Sequence, residues 1–174
     1  AARILDDAPP GFARYFEPFC GAAAVFFALA ERPVPAVLND ANPDLIDTFT
    51  VLRDQPERLV ERLGQMSHSY LQRDADLRRE AFYEVRASNP ATPVERAARF
   101  IFLNKTCYNG LFRVNANGGF NVPHGRYKSP RILDEDLLRQ CGGEEGRVAL
   151  QPAQHLLAQC AGRLAVLREL LVVL

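Results

Sequence analysis

The N-terminal part of the chain alternates between short apolar runs and polar turns in the manner of an α/β fold. Tyr15 to Pro18 predicts a short strand, and the small, apolar residues from Ala22 to Glu31 predict a helix that follows a turn at Gly21. Ala36 to Leu38 predicts a second apolar strand. A strand, a crossover helix and a second strand together predict a parallel sheet with crossover helices.

Helical patterns dominate the part of the chain that follows the second strand. Asn42 offers a side-chain cap, Pro43 suits the first helical position, and Asp44 to Arg53 continues the helix. Three further segments place apolar residues at helical spacing, namely Pro56 to Met66, Leu77 to Ala87 and Pro93 to Leu103. The sequence therefore predicts a helical insert in the α/β core.

The C-terminal part of the chain combines a predicted hairpin with short elements. Gly118 and Gly119 separate two β-prone runs, which indicates a hairpin. Leu170 to Leu174 fits either a buried strand or the end of a helix that begins near Gly162, and periodicity leaves both open. The other predicted elements are a helix over Ile132 to Gln140, a strand over Val148 to Leu150 and a helix over Pro152 to Gln159.

Composition and residue spacing exclude several classes of protein. The 174 residues suit one domain, or a core with an inserted module. The longest apolar stretches are interrupted by charge or too short to span a bilayer, so we expect a cytoplasmic protein without a membrane partner. Cysteine and histidine spacing indicates free, buried thiols and no metal site. We expect both chain ends, Ala1 and Leu174, to continue in a longer protein, with a monomer as the favoured oligomeric state.

Positive charge is concentrated in one stretch of a neutral chain. The formal net charge is +0, yet the stretch from Arg96 to Arg131 contains seven Lys or Arg residues and no Asp or Glu. The rest of the chain carries the balancing negative charge. This distribution predicts a basic surface on one module.

The turn after the first predicted strand is a candidate nucleotide site. Gly21 permits close approach of a ligand, and free backbone N–H groups at such a turn point towards an anion. Asp40 ends the second strand about twenty residues later, where a carboxylate can accept hydrogen bonds from ribose hydroxyls. An ordinary strand-to-helix turn and a helix-capping aspartate are the alternative interpretations of these residues. The pattern also leaves open whether the nucleotide is NAD or S-adenosylmethionine.

The stretch from Lys105 to Arg131 is a candidate nucleic-acid interface. Positive side chains neutralise phosphates, amides and arginines read base edges, and aromatic rings stack on bases. A solvated polar hairpin with a structural aromatic core is the alternative interpretation. The stretch holds five asparagines between positions 104 and 121, and its aromatic residues are Tyr108, Phe112, Phe120 and Tyr127.

Three long segments carry a family resemblance. They are Tyr15 to Phe27, Leu38 to Ile46, and Leu103 to Asn115 with its continuation Phe120 to Lys128. In this order they resemble the motifs of the S-adenosylmethionine-dependent DNA adenine-N6 methyltransferases of the D12 class, which contains the GATC enzymes. Ala23 departs from the glycine that is usual in the first motif, and its methyl group is expected to crowd the cofactor and weaken its binding.

The resemblance implies a Rossmann-like α/β methyltransferase core with an inserted helical and β-hairpin DNA-recognition module. Residues 1–54 would form the first part of the S-adenosylmethionine-binding core, residues 55–131 the DNA-recognition insert, and residues 132–174 the return to the core. The turn would lie beside the methionine part of the cofactor and Asp40 on its ribose, with Glu17 supporting the turn. The implied cofactor-binding residues are Glu17, Pro18, Phe19, Cys20, Gly21 and Asp40.

The resemblance also implies that duplex DNA is the partner of the third segment. Arg113 falls at an arginine that reads guanine in the major groove, and Tyr108 falls at an aromatic residue that wedges into the base stack. His124 stands where the family often has an aromatic residue, so we assign it no catalytic or metal role. Leu111 and Pro123 would contact bases, while Arg126 and Lys128 would contact phosphates or brace the loop. The implied DNA-binding residues are Lys105, Tyr108, Asn109, Gly110, Leu111, Arg113, Pro123, Arg126 and Lys128.

The expected reaction is transfer of a methyl group from S-adenosylmethionine to adenine N6 in duplex DNA, within GATC. The family's catalytic Asp-Pro-Pro-Tyr motif is absent from the 174 residues, so we name no catalytic residue and expect these residues alone to be inactive. Residues 141–174 resemble the family weakly, so a frameshifted or divergent end stays open. The alternatives are a truncated or catalytically inactive DNA-binding relative, and a methyltransferase of RNA or small molecules, which the third segment disfavours.

Overall fold

The computed structural model describes residue 9 and residues 11–29, 34–142 and 148–152. The described residues form two compact units, one within Ala1–Ile46 and Glu144–Leu174 and the other within Asp47–Gly143. The elements in chain order are β1 (Tyr15–Glu17), α1 (Ala24–Ala28), β2 (Ala36–Asp40), α2 (Pro43–Asp54), α3 (Pro56–Leu71), α4 (Ala75–Ala87), α5 (Pro93–Thr106), a 3₁₀ turn (Tyr108–Gly110), α6 (Glu135–Cys141) and β3 (Val148–Pro152).

A small parallel sheet organises the first unit. Its strand order is β1-β2-β3, with β2 in the centre and parallel to both neighbours. Ala36 of β2 lies opposite Tyr15 of β1 and Val148 of β3. The predicted strands and the mixed α/β character are confirmed. Parallel neighbouring strands require crossover connections, and the sequence pattern indicated such connections. Strand β1 ends at Glu17, one residue before its predicted end, and β2 ends at Asp40, the residue expected to close it. Strand β3 runs two residues further than predicted, to Pro152.

Helix α1 begins later than its composition predicts. The apolar run suggested a start at Ala22, but the helix begins at Ala24. The residue before it, Ala23, has φ 52° and ψ 35°, which is the left-handed region and cannot continue a right-handed helix. Helix α2, in contrast, begins as predicted, because the Asn42 side chain accepts a hydrogen bond from the Asp44 N–H at 3.1 Å and Pro43 is the first helical residue.

Three long helices, α3, α4 and α5, build the core of the second unit. Their predicted positions are confirmed, and each helix is longer than the apolar pattern indicated. Asp74 and Thr92 cap α4 and α5 by accepting hydrogen bonds from backbone N–H groups of the first turn. The fully buried residues that join the three helices are Leu59, Leu63, Phe82, Ala97, Ala98 and Phe102.

The predicted hairpin is present, whereas helix α6 starts three residues later than predicted. Val114 and Phe120 form an antiparallel bridge across Gly118, which has φ +78°. Ile132 is buried and not helical, and α6 begins after Asp134, whose side chain caps the first turn. Pro152 belongs to β3 rather than to the start of a helix. The remaining predictions for residues 153–159 and 170–174 lie outside the described residues.

Candidate cofactor turn and nucleic-acid interface

The turn that follows β1 is joined to the end of β2. The N–H of Cys20 donates to the carbonyl of Asn39 at 2.8 Å, and the N–H of Gly21 donates to Oδ2 of Asp40 at 3.0 Å. The N–H of Ala23 closes the turn onto the carbonyl of Cys20 at 2.6 Å. The structure therefore brings together the two sequence features, Gly21 and Asp40, that predicted a nucleotide site. We call residues 17–23 the cofactor turn.

Asp40 uses both carboxylate oxygens to hold the backbone around it. Oδ2 accepts the N–H of Gly21, and Oδ1 accepts the N–H of Asn42 at 2.9 Å. Each carboxylate oxygen has a second lone pair, so neither bond exhausts its acceptor capacity. The cap of helix α2 is supplied by Asn42 and not by Asp40. This contact between Gly21 and Asp40 is what the sequence reasoning missed, although it had singled out both residues.

Glu17 supports the other side of the cofactor turn. Its Oε2 accepts the N–H of Phe26 in α1 at 3.3 Å, and its carboxylate accepts the hydroxyl of Tyr15. Burial raises the pKa of the Glu17 carboxyl, although the two hydrogen bonds oppose that shift. Burial also raises the pKa of the Cys20 thiol to about 12, with the Asp40 and Glu17 carboxylates adding to the effect. Cys20 is therefore a protonated, unreactive thiol.

The tip of the cofactor turn faces solvent. Phe19 is 79% exposed, and Gly21 and Ala22 are also exposed. A Cβ built on Gly21 would meet nothing within 4 Å, so space is open above that backbone. Ala23 behaves differently, because its methyl group is fully buried while its backbone occupies a region that favours glycine. Having alanine rather than glycine at position 23 therefore strains the backbone of the turn. Crowding of a cofactor by its methyl group stays a prediction.

Asn39 is a buried polar residue that the sequence reasoning did not single out. Its side chain is 1% exposed, and neither the amide nitrogen nor the amide oxygen has a partner among the described residues. It lies on β2 beside Asp40. An unpaired buried amide lowers the stability of the folded state, so the packing of β2 around Asn39 is not optimised for stability alone.

The predicted DNA-facing residues lie on a segment with a buried inner edge, residues 104–128, which we call the recognition segment. Backbone hydrogen bonds join its two halves, from the Tyr108 N–H to the Pro123 carbonyl at 2.9 Å and from the Gly125 N–H to the Thr106 carbonyl at 2.8 Å. Cys107 is fully buried between them, and its thiol donates to the carbonyl of Leu111 at 3.2 Å. The segment is thus fixed from inside.

The outer edge of the recognition segment contains the predicted contact residues. All nine of them are exposed, among them Tyr108 at 53% and Leu111 at 52%. Asn109 and Arg126 adopt positive φ values, both 54°, as does Gly110 at 61°. The structure therefore leaves all nine residues accessible to solvent, while the assignment of DNA contacts to them remains a prediction.

The basic stretch contributes fewer surface charges than the sequence indicated. Arg96 pairs with Asp47, its Nη2 lying 3.0 Å from Oδ2. Arg99 donates to the carbonyls of Val85 and Arg86, and Arg131 pairs with Asp134 at 3.0 Å. Arg96 and Arg99 are half-buried and serve the fold, whereas the Arg131 side chain stays 78% exposed. The other four basic residues of the stretch are exposed on the recognition segment, and they are Lys105, Arg113, Arg126 and Lys128.

His124 links the recognition segment to the helical core. Its Nε2 lies 2.6 Å from the hydroxyl of Tyr70, and its ring packs 5.2 Å from that of Phe82. Burial lowers the pKa of the imidazole, and the nearby Arg126, Arg79 and Arg78 side chains lower it further. His124 is therefore a neutral structural residue, and the sequence contained no signal for its partner 54 positions away.

Arg78 performs a similar linking role on α4. Its guanidinium donates to the carbonyls of Tyr70 and Leu71 at the end of α3, and to the carbonyl of Lys128 at 2.7 Å. It also lies over the ring of Tyr70. Arg78 thus fixes the end of the recognition segment to α3 and α4. The amphipathic pattern of α4 did not indicate this role.

Three features are absent from the described part of the chain. Among residues 11–29, 34–142 and 148–152, no helix is both long and apolar enough to cross a membrane. The same residues contain no cluster of three or more His, Cys, Asp or Glu side chains arranged to hold a metal ion. In that part of the chain Cys20, Cys107 and Cys141 form no disulfide.

Comparisons with curated proteins agree on one family. Type II methyltransferase M.MjaIII of Methanocaldococcus jannaschii is 44% identical over 133 residues, which cover 72% of this chain and 46% of that protein. Type II methyltransferase M1.LlaDCHI of Lactococcus lactis subsp. cremoris is 40% identical over 136 residues, covering 75% and 45%. A DNA adenine methylase of Serratia marcescens is 38% identical over 123 residues, covering 70% and 43%.

The lengths of these matches limit what they say about a whole enzyme. The chain spans about half the length of the curated relatives it matches. A sequence profile described as "D12 class N6 adenine-specific DNA methyltransferase" matches residues 1–144, which include both the cofactor turn and the recognition segment. Because that match covers most of the 174 residues, the chain belongs to the D12 class of N6 adenine-specific DNA methyltransferases.

Proposed function

We propose that the chain provides the S-adenosylmethionine-binding turn and the duplex-recognition segment of an enzyme that methylates adenine N6 in DNA. The observation that carries this proposal is the hydrogen bond between the Gly21 N–H and Asp40. It places an exposed glycine turn and a carboxylate together at the carboxyl ends of two neighbouring parallel strands. Ligands of open α/β sheets bind at that edge.

The chemistry of the cofactor turn suits S-adenosylmethionine. Asp40 retains acceptor capacity for ribose hydroxyls, and the open space above Gly21 admits a close ligand. Phe19 offers an exposed apolar surface beside that space. Glu17, Pro18 and Cys20 act indirectly in this proposal, by holding the shape of the turn. When bound, the cofactor supplies an electrophilic methyl group, while these residues bind and orient it.

The recognition segment suits duplex DNA. Four exposed basic residues can neutralise phosphates, and the exposed ring of Tyr108 can stack on a base. We propose GATC as the target, because the Asn-Gly-Leu-Phe-Arg string at positions 109–113 resembles the GATC readers. The helical and hairpin part of the second unit would then be the DNA-recognition insert, between residues 55 and 131.

A catalytic step needs groups that the 174 residues do not contain. The amino group of adenine is held, after the base leaves the stack, by an Asp-Pro-Pro-Tyr motif in this family, and that sequence is absent here. We therefore propose that these residues alone bind both ligands without transferring a methyl group. The alternative is a DNA-binding relative without catalysis, which differs in requiring no cofactor.

Two binding measurements on the 174-residue chain test the proposal. Isothermal titration calorimetry with S-adenosylmethionine should give saturable binding at one site, which S-adenosylhomocysteine abolishes by competition. Competition at fixed salt should show that duplex DNA displaces a labelled GATC duplex better than RNA of equal length. Cofactor binding without DNA binding, or the reverse, would refute one half of the proposal, and transfer of labelled methyl to DNA would refute the predicted inactivity.

A further inference from the structure

The hairpin that carries Arg113 has a rigid tip. Oδ1 of Asn115 accepts the N–H groups of Asn117 at 3.0 Å and Gly119 at 2.9 Å. The N–H of Asn115 donates in turn to the carbonyl of Gly119 at 2.9 Å. An asparagine that bonds its own turn in this way fixes the loop conformation. The two arms of the hairpin are therefore held in one register.

Aromatic packing fixes the arms of the hairpin to helix α5. The ring of Phe112 lies 5.8 Å from that of Phe120 on the opposite arm, and 5.3 Å from that of Phe100 on α5. Such tilted ring pairs contribute more than the apolar area they bury. Because Phe112 precedes Arg113 in the chain, the backbone from which the arginine projects is anchored.

Arg113 and Asn121 are joined twice across this hairpin. The N–H of Asn121 donates to the carbonyl of Arg113 at 3.0 Å, and Nε of Arg113 donates to Oδ1 of Asn121 at 2.7 Å. An arginine has donors and no acceptor, so the Asn121 amide must present its oxygen to it. The direction of the guanidinium is therefore set by the Asn121 side chain.

The bond to Asn121 uses Nε of Arg113 and leaves both terminal nitrogens of the guanidinium available to a ligand. Arg113 is exposed, and its two terminal nitrogens form no hydrogen bond with any residue in the described ranges. Two parallel N–H donors match the O6 and N7 acceptors that guanine presents in the major groove. A side chain that is already oriented loses less conformational freedom when it binds.

We propose that Asn121 is a positioning residue for base recognition, which holds Arg113 so that both terminal nitrogens meet one guanine edge. This inference rests on the proposed function, in which Arg113 reads guanine. Asn121 was not among the residues that the family resemblance singled out for DNA contact. Its effect should appear in the discrimination between bases rather than in the general affinity for DNA.

The test measures base discrimination by the 174-residue chain with fluorescence anisotropy. One labelled duplex contains a single GATC site, and a second has both guanines of that site replaced by 7-deazaguanine, which lacks the N7 acceptor. The readout is the ratio of the two dissociation constants. We expect the unsubstituted chain to bind the guanine duplex about tenfold more tightly.

The variants separate positioning from general structure. Asn121→Ala, and Asn121→Leu, which keeps the volume without the oxygen, should lower the ratio to about twofold, with less than about twofold change for a duplex without GATC. Asn117→Ala is the matched control, because Asn117 is an exposed asparagine of the same hairpin whose side chain has no partner among the described residues. It should keep the full ratio.

A double-mutant cycle completes the test. In a chain that carries Arg113→Ala, adding Asn121→Ala should leave the ratio unchanged, because Asn121 acts through Arg113. A further loss would mean that Asn121 contacts the base itself and would overturn the positioning role, as would equal ratios for Asn121→Ala and Asn117→Ala. If Arg113→Ala keeps the full ratio, or the unsubstituted chain has no preference, the proposed reading of guanine fails as well. Thermal unfolding of each variant verifies that it is folded.

Discussion

The cofactor turn and the recognition segment are held in place by different physical means. In the cofactor turn, the carboxylates of Glu17 and Asp40 accept backbone N–H groups of three residues. In the recognition segment, Cys107 and Val122 are buried in an apolar core, and backbone hydrogen bonds close the gap between the two arms. One region is held by charge and the other by close packing.

This difference matches what each region would bind. Carboxylates that hold a turn retain lone pairs for a small polar ligand, so the same atoms can shape the turn and meet the ligand. A segment packed from behind leaves its outer edge free for a large, charged partner. We therefore expect the cofactor turn to respond to changes of charge and the recognition segment to changes of volume.

The largest effect should follow from adding one methyl group inside the recognition segment. In Gly125→Ala the new Cβ would lie 2.5 Å from the backbone oxygen of Cys107 and from the ring of Tyr127. Because a backbone oxygen cannot rotate away, we expect unfolding to become easier by about 2–3 kcal/mol, measured by urea denaturation. Gly119→Ala is the control, since its new Cβ would meet nothing closer than the Asn115 side chain at 3.4 Å, an ordinary van der Waals contact. Equal stability of the two variants would contradict the packed character of the segment.

Removing the charge of the cofactor turn should weaken binding with little effect on folding. In Asp40→Asn the amide presents only one oxygen, so either the Gly21 or the Asn42 N–H group loses its acceptor. We expect the affinity for S-adenosylmethionine, measured by calorimetry, to fall about tenfold, because hydrogen bonds to a charged group are the stronger ones. Asp76→Asn on α4 makes the same change of charge at an exposed site and should leave the affinity unchanged.

The recognition segment should also show a pH dependence that comes from His124. Burial lowers the pKa of His124 in the folded state below its ordinary value of 6.5, so the unfolded chain takes up a proton first as the pH falls. The contribution of this group to stability is therefore present above about pH 6.5 and is lost progressively below it.

Thermal unfolding between pH 7.5 and 5.5 measures this contribution. His124→Phe should make the melting temperature less sensitive to pH across that window, although it removes the bond to Tyr70. His68→Gln, at an exposed histidine of α3, should leave the pH response of the unsubstituted chain intact. An equal pH response in all three proteins would show that the pKa of His124 does not differ between the folded and unfolded states.

The smallest effect should come from the left-handed residue of the cofactor turn. Ala23→Gly loses a buried methyl group and relieves a backbone strain, each worth about 1 kcal/mol, so the net change in unfolding free energy should lie within about 1 kcal/mol. Ala97→Gly loses an equally buried methyl inside helix α5 and relieves nothing, so it should cost about 2 kcal/mol. Equal losses in urea denaturation would argue against strain at Ala23.

Local patterns predicted the elements of the fold, but not all of their ends. Apolar periodicity identified the parallel strands and the long helices, because burial sets both. It placed the start of α1 too early, since it could not detect the left-handed backbone of Ala23. It also placed the start of α6 at a buried residue, Ile132, which packs without being helical. Apolarity reports burial and only indirectly reports backbone conformation.

The sites show the same division between local and distant information. Gly21 and Asp40 could be singled out because a turn and a strand end each have a sequence signature, whereas their hydrogen bond to each other was not foreseen and their role in cofactor binding stays a prediction. The roles of Tyr70 and Arg78 could not be predicted. Tyr70 contacts His124, which lies 54 positions away, and Arg78 donates to the carbonyl of Lys128, which lies 50 positions away. Charge counting likewise assigned Arg96 to a surface, although it pairs with Asp47. Tertiary partners decide whether a charged residue faces a ligand or the protein.

The most direct test of the central claim is a pair of NMR titrations of the ¹⁵N-labelled 174-residue chain, one with S-adenosylmethionine and one with a GATC duplex. We expect the cofactor to shift the amide signals of the non-proline residues within 17–23 and 40–42, with Gly21 among the largest, and the duplex to shift those within 105–114 and 121–128. Saturable shifts that lie elsewhere, or the same residues responding to both ligands, would contradict the division of the chain into a cofactor turn and a recognition segment.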